Sequence, residues 1–295
     1  MRKLTYTAFL LVICALFSFY MDKPAYRFFT AEGKATDYEA LLKEAQKADI
    51  VFFGELHNNP ICHWLQLELT KDMHSEKKEK LILGAEMFEA DNQLVLNEYL
   101  QKLITDKQLK EDSKVWNNFA TDYKPLVDFA QKNNLPFIAT NIPRRYASMV
   151  SKKGVEVLAT LGEESKRFIA PLPIEIDLKL PAYANMIAMM GEGHGAGMGN
   201  MKPEYFAQAQ AVKDATMAHF ILKNWQAGKT LIHYNGAYHS DNFESILWYL
   251  KKAKPSLKIL TISSVEQVDL QTLQKDNLQK ANFILAIPES MTKTY

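Results

Sequence analysis

Ile50-Val51-Phe52-Phe53-Gly54-Glu55-Leu56-His57-Asn58-Asn59-Pro60-Ile61-Cys62-His63 is the stretch around which the chain is organised. Four apolar residues end at a glycine, and Glu55, His57 and His63 follow at once. An apolar run of that length suits a strand buried on both faces, as in a parallel sheet. An α/β protein projects reactive side chains from the carboxyl ends of such strands into a crevice. Metal binding, acid–base catalysis and haem contact are all open to this trio.

The same rhythm recurs on both sides. Asp37 caps a helix whose apolar residues Tyr38, Leu41, Leu42, Ala45 and Ala48 fall at helical spacing. Pro60 suits the first turn of the next helix. The polar cluster Ser75–Lys80 is expected to be a loop, and Leu81–Ala85 a second buried strand ending in Glu86. Helical patterns follow over Asp91–Ile104, irregularly over Asp106–Thr121, and over Lys124–Lys132. Phe137–Thr140 reads as a third strand that runs into Asn141-Ile142-Pro143-Arg144-Arg145, with Tyr146–Lys153 helical beyond it. Pro203–Ala227 is the longest helical pattern. Thr230–Tyr234, Leu257–Ile262 and Phe283–Ile287 read as strands, with a helix over Asp241–Lys252. Alternating strands and helices predict one α/β domain over 37–295, a mostly parallel central sheet covered by helices. Residues 22–36 read as a linker, and Gly154–Lys202 as a helical or loop-rich insertion over one sheet edge.

Bulk properties narrow the function. With 295 residues, 47% of them hydrophobic, the chain can bury a large core. A formal net charge of +1 leaves no basic footprint, so no nucleic-acid partner is expected. Arg2 and Lys3 precede an apolar run, Leu4–Met21, closed by Asp22-Lys23-Pro24. That is a signal peptide or an N-terminal membrane anchor, and it predicts an exported protein, periplasmic or membrane-associated. Cys14 lies in a poor lipoprotein box, because Ile13 occupies the place of a small residue and the apolar run continues past it. Cys62 is then the one cysteine left, so neither an internal disulfide nor a Cys-based zinc motif is available. Any metal site must use His and carboxylates.

Four strand ends deliver polar groups: Glu55 with His57, Glu86, Asn141 with Arg144, and His239 after Tyr234. In a parallel sheet these ends share one edge. Gly54-Glu55-Leu56-His57 and Gly236-Ala237-Tyr238-His239 are both Gly-x-x-His behind a buried strand. Two imidazoles and a carboxylate, His57, His239 and Glu86, suffice for a divalent transition metal with a position open for water. Without a metal the same groups could serve as general acid and base. Glu55 has a second reading, as a buried acid satisfied by backbone donors. His74 reads as surface, His219 as a packed helix residue, and His233 as pointing away from the crevice. Arg144 is either an anion ligand or an ordinary helix-start charge. Met186, Met189, Met190, His194, Met198 and Met201 form a Met- and Gly-rich run that suits copper, haem or simple packing. Tyr205 opens the long helix, where a phenolate could ligate haem iron or the ring could merely pack.

The blocks Asp49–His57 with Asn59-Pro60 and His63, Gly84-Ala85-Glu86-Met87-Phe88, Asn141-Ile142-Pro143-Arg144, Ala209–Ala218 and Gly236-Ala237-Tyr238-His239 resemble the ChaN-like haem-binding family. The resemblance runs in order from about Asp37 to the last strand. It implies an exported protein of haem or iron uptake, and a homodimer holding haem between protomers with tyrosine and histidine near the iron. Tyr205 and His194 are the candidates here. The family belongs with Tiki- and TraB-like proteins and erythromycin esterases. There the paired Gly-x-x-His motifs and strand-end glutamates imply a hydrolytic centre, which carries over to Glu55, His57, Glu86 and His239, with Arg144. Cys62 stands where the family often shows another histidine, and the Met/Gly run departs from its pattern. Haem binding leads, with a metal-dependent hydrolase as the alternative and copper binding a third reading.

Overall fold

The computed structural model describes residues 23–190 and 202–295. Their strands are β1 (Arg27–Thr30), β2 (Ala35–Thr36), β3 (Ile50–Glu55), β4 (Leu81–Glu89), β5 (Phe137–Asn141), β6 (Thr230–Gly236), β7 (Ile259–Gln267) and β8 (Phe283–Pro288). The α-helices are α1 (Tyr38–Ala45), α2 (Pro60–Lys77), α3 (Gln93–Leu100), α4 (Asp106–Asp112) and α5 (Lys124–Asn133), then α6 (Arg144–Lys153), α7 (Glu163–Lys166), α8 (Pro181–Met189), α9 (Pro203–Asn224) and α10 (Ile246–Ala253).

One sheet runs β2-β1-β8-β7-β3-β6-β4-β5. From β8 to β5 every pairing is parallel, and β1 pairs antiparallel with both β8 and β2. The expected α/β class with a mostly parallel, helix-covered sheet is thus the observed one. β3 is buried at all six positions, as its unbroken apolar run requires. Its alternate residues serve two cores. Val51 and Phe53 pack with Leu65 and Leu69 of α2 and with Leu126 and Val127 of α5. Ile50 and Phe52 pack with Met217 and Ile221 of α9 and with Ile246 and Leu250 of α10.

Several local expectations are corrected. The stretch 22–36, read as a linker, carries β1 and β2, whose Phe28 and Phe29 are buried on opposite faces of the sheet. Ser75–Lys80 is not a loop: α2 continues to Lys77 because Met73 still reaches the core, and a 3₁₀ turn completes the segment. α10 starts at Ile246 rather than Asp241, since Asn242, Phe243 and Ser245 all take positive φ. Gly154–Lys202 is, over its described part, an assembly of one 3₁₀ segment, α7, α8 and irregular chain. It packs Leu158 and Ile169 onto α6 and α9.

Sheet order explains where a site can form. β3 continues into α2 on one face, while the neighbouring β6 continues towards α10 on the other. Connections that leave adjacent parallel strands in opposite directions open a crevice at their carboxyl ends.

Candidate functional site

Four neighbouring strands, β3, β6, β4 and β5, end on this crevice. A cleft of about 780 Å³ lies over them, with Glu55, His57, Glu86, Asn141, Arg144 and His239 in its lining. The structure therefore brings together every strand-end group named from the sequence. Tyr205 is elsewhere: its ring packs on Gly154 at the end of α6, under Lys202. His194, Met198 and Met201 lie outside the described residues, as do Cys14 and the N-terminal apolar run. Among the described residues no helix is long and apolar enough to cross a membrane.

Glu55 is buried and fully engaged. Its Oε1 accepts from Tyr123 Oη at 2.7 Å and from His57 Nδ1 at 2.9 Å, and its Oε2 accepts from Gln66 Nε2 at 2.6 Å. Glu55 thus fixes the His57 ring through Nδ1 and leaves Nε2 beside Gly236. A Cβ on Gly236 would stand 2.7 Å from that nitrogen, so the second Gly-x-x-His motif needs its glycine for the imidazole of the first. Gly54 has a matching role: a Cβ there would stand 2.9 Å from the Ala237 Cα. Trp116 closes edge-on against His57, their ring centroids 4.9 Å apart. The His57 side chain keeps 36% of its surface exposed and can meet a ligand. Partial burial disfavours its charged form. The hydrogen bond to Glu55 and the charges of Glu86 and Glu55 outweigh that and raise its pKa.

Glu86 and His239 form the second pair. Glu86 Oε2 accepts from Gly236 N at 2.8 Å, and its Oε1 lies 3.3 Å from His239 Nε2. The other ring nitrogen, Nδ1, lies 2.5 Å from Asp214 Oδ1. Tyr183 Oη donates to the remaining Asp214 oxygen at 2.7 Å. Burial opposes charge on His239, but two flanking carboxylates push its pKa up to about 10. Burial likewise opposes charge on Glu86, yet His239 holds its carboxyl well below the usual range. The Asp214 carboxyl, buried inside α9, is raised by desolvation despite His239.

The metal expectation for His57, Glu86 and His239 meets a geometric objection. Among the described residues no group of three or more His, Cys, Asp and Glu side chains is arranged to hold a metal ion. Both His239 nitrogens face carboxylates, and His57 commits one of its two to Glu55. A ligating histidine needs one nitrogen for the metal.

Sequence reasoning missed the supporting residues. Gln66 and Tyr123 hold Glu55 from α2 and from the π-helical turn Phe119–Tyr123. Asn118 Nδ2 donates to the His57 carbonyl at 2.9 Å and to Asp122 at 2.7 Å. His63 lies buried between Glu55 and Asp122 in the same layer. His233 is buried beneath the site against Thr140 and Asn235, as its place inside a strand suggested. His219 is half-exposed on α9, and His74 packs edge-on against Phe129. Asp214 and Lys213 belong to the helix block quoted above but had no role there. A charged pair inside an otherwise apolar helix stretch was the available signal. Near the chain's end, Thr294 N donates to the Asn58 carbonyl and Thr294 Oγ1 to Asp122, and Tyr295 enters the cleft lining.

Comparison with known proteins places this geometry. A solved structure titled as cofacial haem binding to ChaN of Campylobacter jejuni superposes with a TM-score of 0.66 at 17% identity, covering 88% of this chain and 96% of that one. A Bacillus cereus protein superposes with a TM-score of 0.51 at 14% identity, covering 88% and 93%. At such identities these likenesses show the fold alone. Protein RETICULATA-RELATED 5, chloroplastic, of Arabidopsis thaliana is 26% identical over 210 residues, 65% of this chain but 27% of that protein's length. The model for haem-binding uptake proteins of the Tiki superfamily, ChaN, matches residues 41–250, the span that carries β3 to α10 and every group of the cleft floor, and the chain belongs to that family.

Proposed function

We propose that this protein is an exported haem-binding protein acting in haem or iron uptake. The cleft carries the reading: beside its polar floor it has an apolar wall of Trp116, Ile142, Met186 and Phe206. Ligand sites for flat apolar cofactors combine such walls with a few placed polar groups. The chemistry of these residues fits haem, which when bound supplies an iron centre open to axial ligation. Tyr205 packs outside this cleft although it is next in sequence to the wall residue Phe206, so its role is proposed for a haem that extends from the cleft towards a partner protomer. His194 belongs to the segment between α8 and α9. These two are the proposed iron ligands. The homodimer around haem and the N-terminal signal or anchor belong to the same proposal. Titrating the purified protein with haemin should give a Soret band that Tyr205→Phe or His194→Ala alters. A flat titration overturns the reading, and chromatography with and without haemin tests the dimer.

One observation favours a hydrolytic second reading. His57 is oriented by Glu55, partly exposed, and set beside the Glu86–His239–Asp214 cluster. With its pKa raised, His57 is protonated in a larger fraction of molecules at neutral pH than a free imidazole, which suits it to hold the proton of a general acid. Turnover of a peptide or ester panel that disappears in His57→Ala supports this reading. Elemental analysis for Mn, Co or Zn decides whether a metal takes part, and a metal-free preparation inactive on both substrate classes counts against it.

A further inference from the structure

Charge is unevenly distributed over the cleft lining. Two of the lining acids are matched, Glu55 by His57 and Glu86 by His239, which Asp214 flanks from behind, while the third, Glu89, makes no ion pair among the described residues. Arg144 and Lys213 also line the cleft, and neither makes an ion pair within 4.0 Å among the described residues. The adjacent Arg145, by contrast, is held by Asp91 and stacks on Tyr146. Lys213 is half-buried one residue before Asp214, and its charge reaches Glu86. Arg144 is exposed where the cleft adjoins a second cavity of about 390 Å³, lined also by Lys114, Arg145 and Ser148. Glu89 lines both cavities and is the one acid among those second-cavity residues.

The backbone adds to this. Arg144 is the first residue of α6, whose cap, Pro143, supplies no side-chain acceptor to the first turn. First-turn N–H groups lack intrahelical acceptors and favour anions. The turn before it brings Asn141 into the lining, nine-tenths buried, with its Oδ1 lacking a hydrogen-bond partner. An apolar wall next to two uncommitted cations, a helix start and a spare acceptor matches a flat apolar ligand with carboxyl groups at its edge. The acceptor can accept a hydrogen bond from a water bound beside the carboxylate.

We infer that Arg144 and Lys213 form a carboxylate-binding subsite that anchors the propionate side chains of haem and so sets its orientation in the cleft. The inference rests on the haem reading and adds the residues that would select an anionic porphyrin over a neutral one. Arg144 is suited to bidentate carboxylate pairing and Lys213 to a point-charge contact.

The test compares haemin with its dimethyl ester, which keeps the macrocycle and iron but loses both negative charges. Wild-type protein should bind haemin about tenfold or more tightly than the ester, the factor expected for one charge-assisted contact. Arg144→Ala and Lys213→Ala should each weaken haemin binding by about that factor and leave the ester unchanged. Equal affinity of the wild type for both ligands overturns the subsite while leaving the haem reading in place, and it needs no variant. Equal loss of both ligands in the variants also overturns it. Binding of neither ligand by the wild type removes the haem reading and the subsite together.

Discussion

Gly236 shows how tightly the site is built at the level of single residues. Its missing side chain is the space into which His57 Nε2 fits, with Glu86 Oε2 3.6 Å from the same point. Gly236→Ala should therefore displace the imidazole and cost about 1–3 kcal/mol, the usual penalty of overpacking a filled site. Urea denaturation measures the loss, and an NMR titration should show the His57 pKa falling towards its ordinary value as the Glu55 contact loosens. His239 gives a pH prediction. Its folded pKa of about 10 exceeds the ordinary histidine value of about 6.5, so the clamp stabilises fully below about 6.5 and loses its contribution as pH rises towards 10. Glu86 acts in the opposite sense, losing its contribution on acidification below the ordinary carboxylate range. His239→Gln should cost about 3–5 kcal/mol at neutral pH because it strands two buried carboxylates. Thermal melts from pH 7 to 10 should decline less steeply in that variant than in the wild type.

Among the elements, α2 and α9 set the polar floor from opposite faces of the sheet. α2 is capped by Asn59, which is fully buried, accepts from Ile61 N at 3.1 Å and donates to Glu266 at 3.2 Å. That cap aims the first two turns so that His63 and Gln66 reach Glu55. Asn59→Ala should cost about 0.5–2 kcal/mol in chemical denaturation, the range for a lost N-cap. The cost should sit at the upper end, because Glu266 loses a donor as well. α9 is 22 residues long and buries an aspartate in its middle. A helix-interior carboxylate with no solvent access is paid for by His239 and Tyr183 together. The β-elements do the rest: β3, β6, β4 and β5 are neighbours in that order, so their polar tails meet without any long loop having to fold back.

For the molecule as a whole, β1 and β2 matter beyond their six residues. They cover the apolar strand β8, Phe283–Pro288, which would otherwise be the sheet edge. Removing residues 23–36 should expose that edge and convert a monodisperse sample into a self-associating one, read by light scattering. Loss of Phe28 and Phe29 removes core from both faces at once, so the melting temperature should fall too. The last residues tie the far side of the same sheet to the site, since Lys293 pairs with Glu266 and Thr294 with Asp122. The cleft is therefore assembled from segments spread from Glu55 to Tyr295.

Apolar strands that each end in a polar group were enough to read the α/β class, the parallel sheet, and Glu55, His57, Glu86, Asn141, Arg144 and His239 as groups of one edge. This worked because side-chain period and strand direction are local properties, and sheet topology converts them into a common location. Tyr123, Gln66, Asp214 and Lys213 lay beyond such reading. They come from helices and a π-helical turn whose rotation about their own axes depends on packing across the core. Strands β1 and β2 were hidden for a similar reason: short edge strands are stabilised by the neighbour they cover, and two to four residues carry no period of their own. Tertiary structure alone decided that His239 is clamped between two acids and that Gly236 makes room for His57. It also decided that Tyr205 lies outside the cleft, because only packing distinguishes adjacent helix residues that face different neighbours.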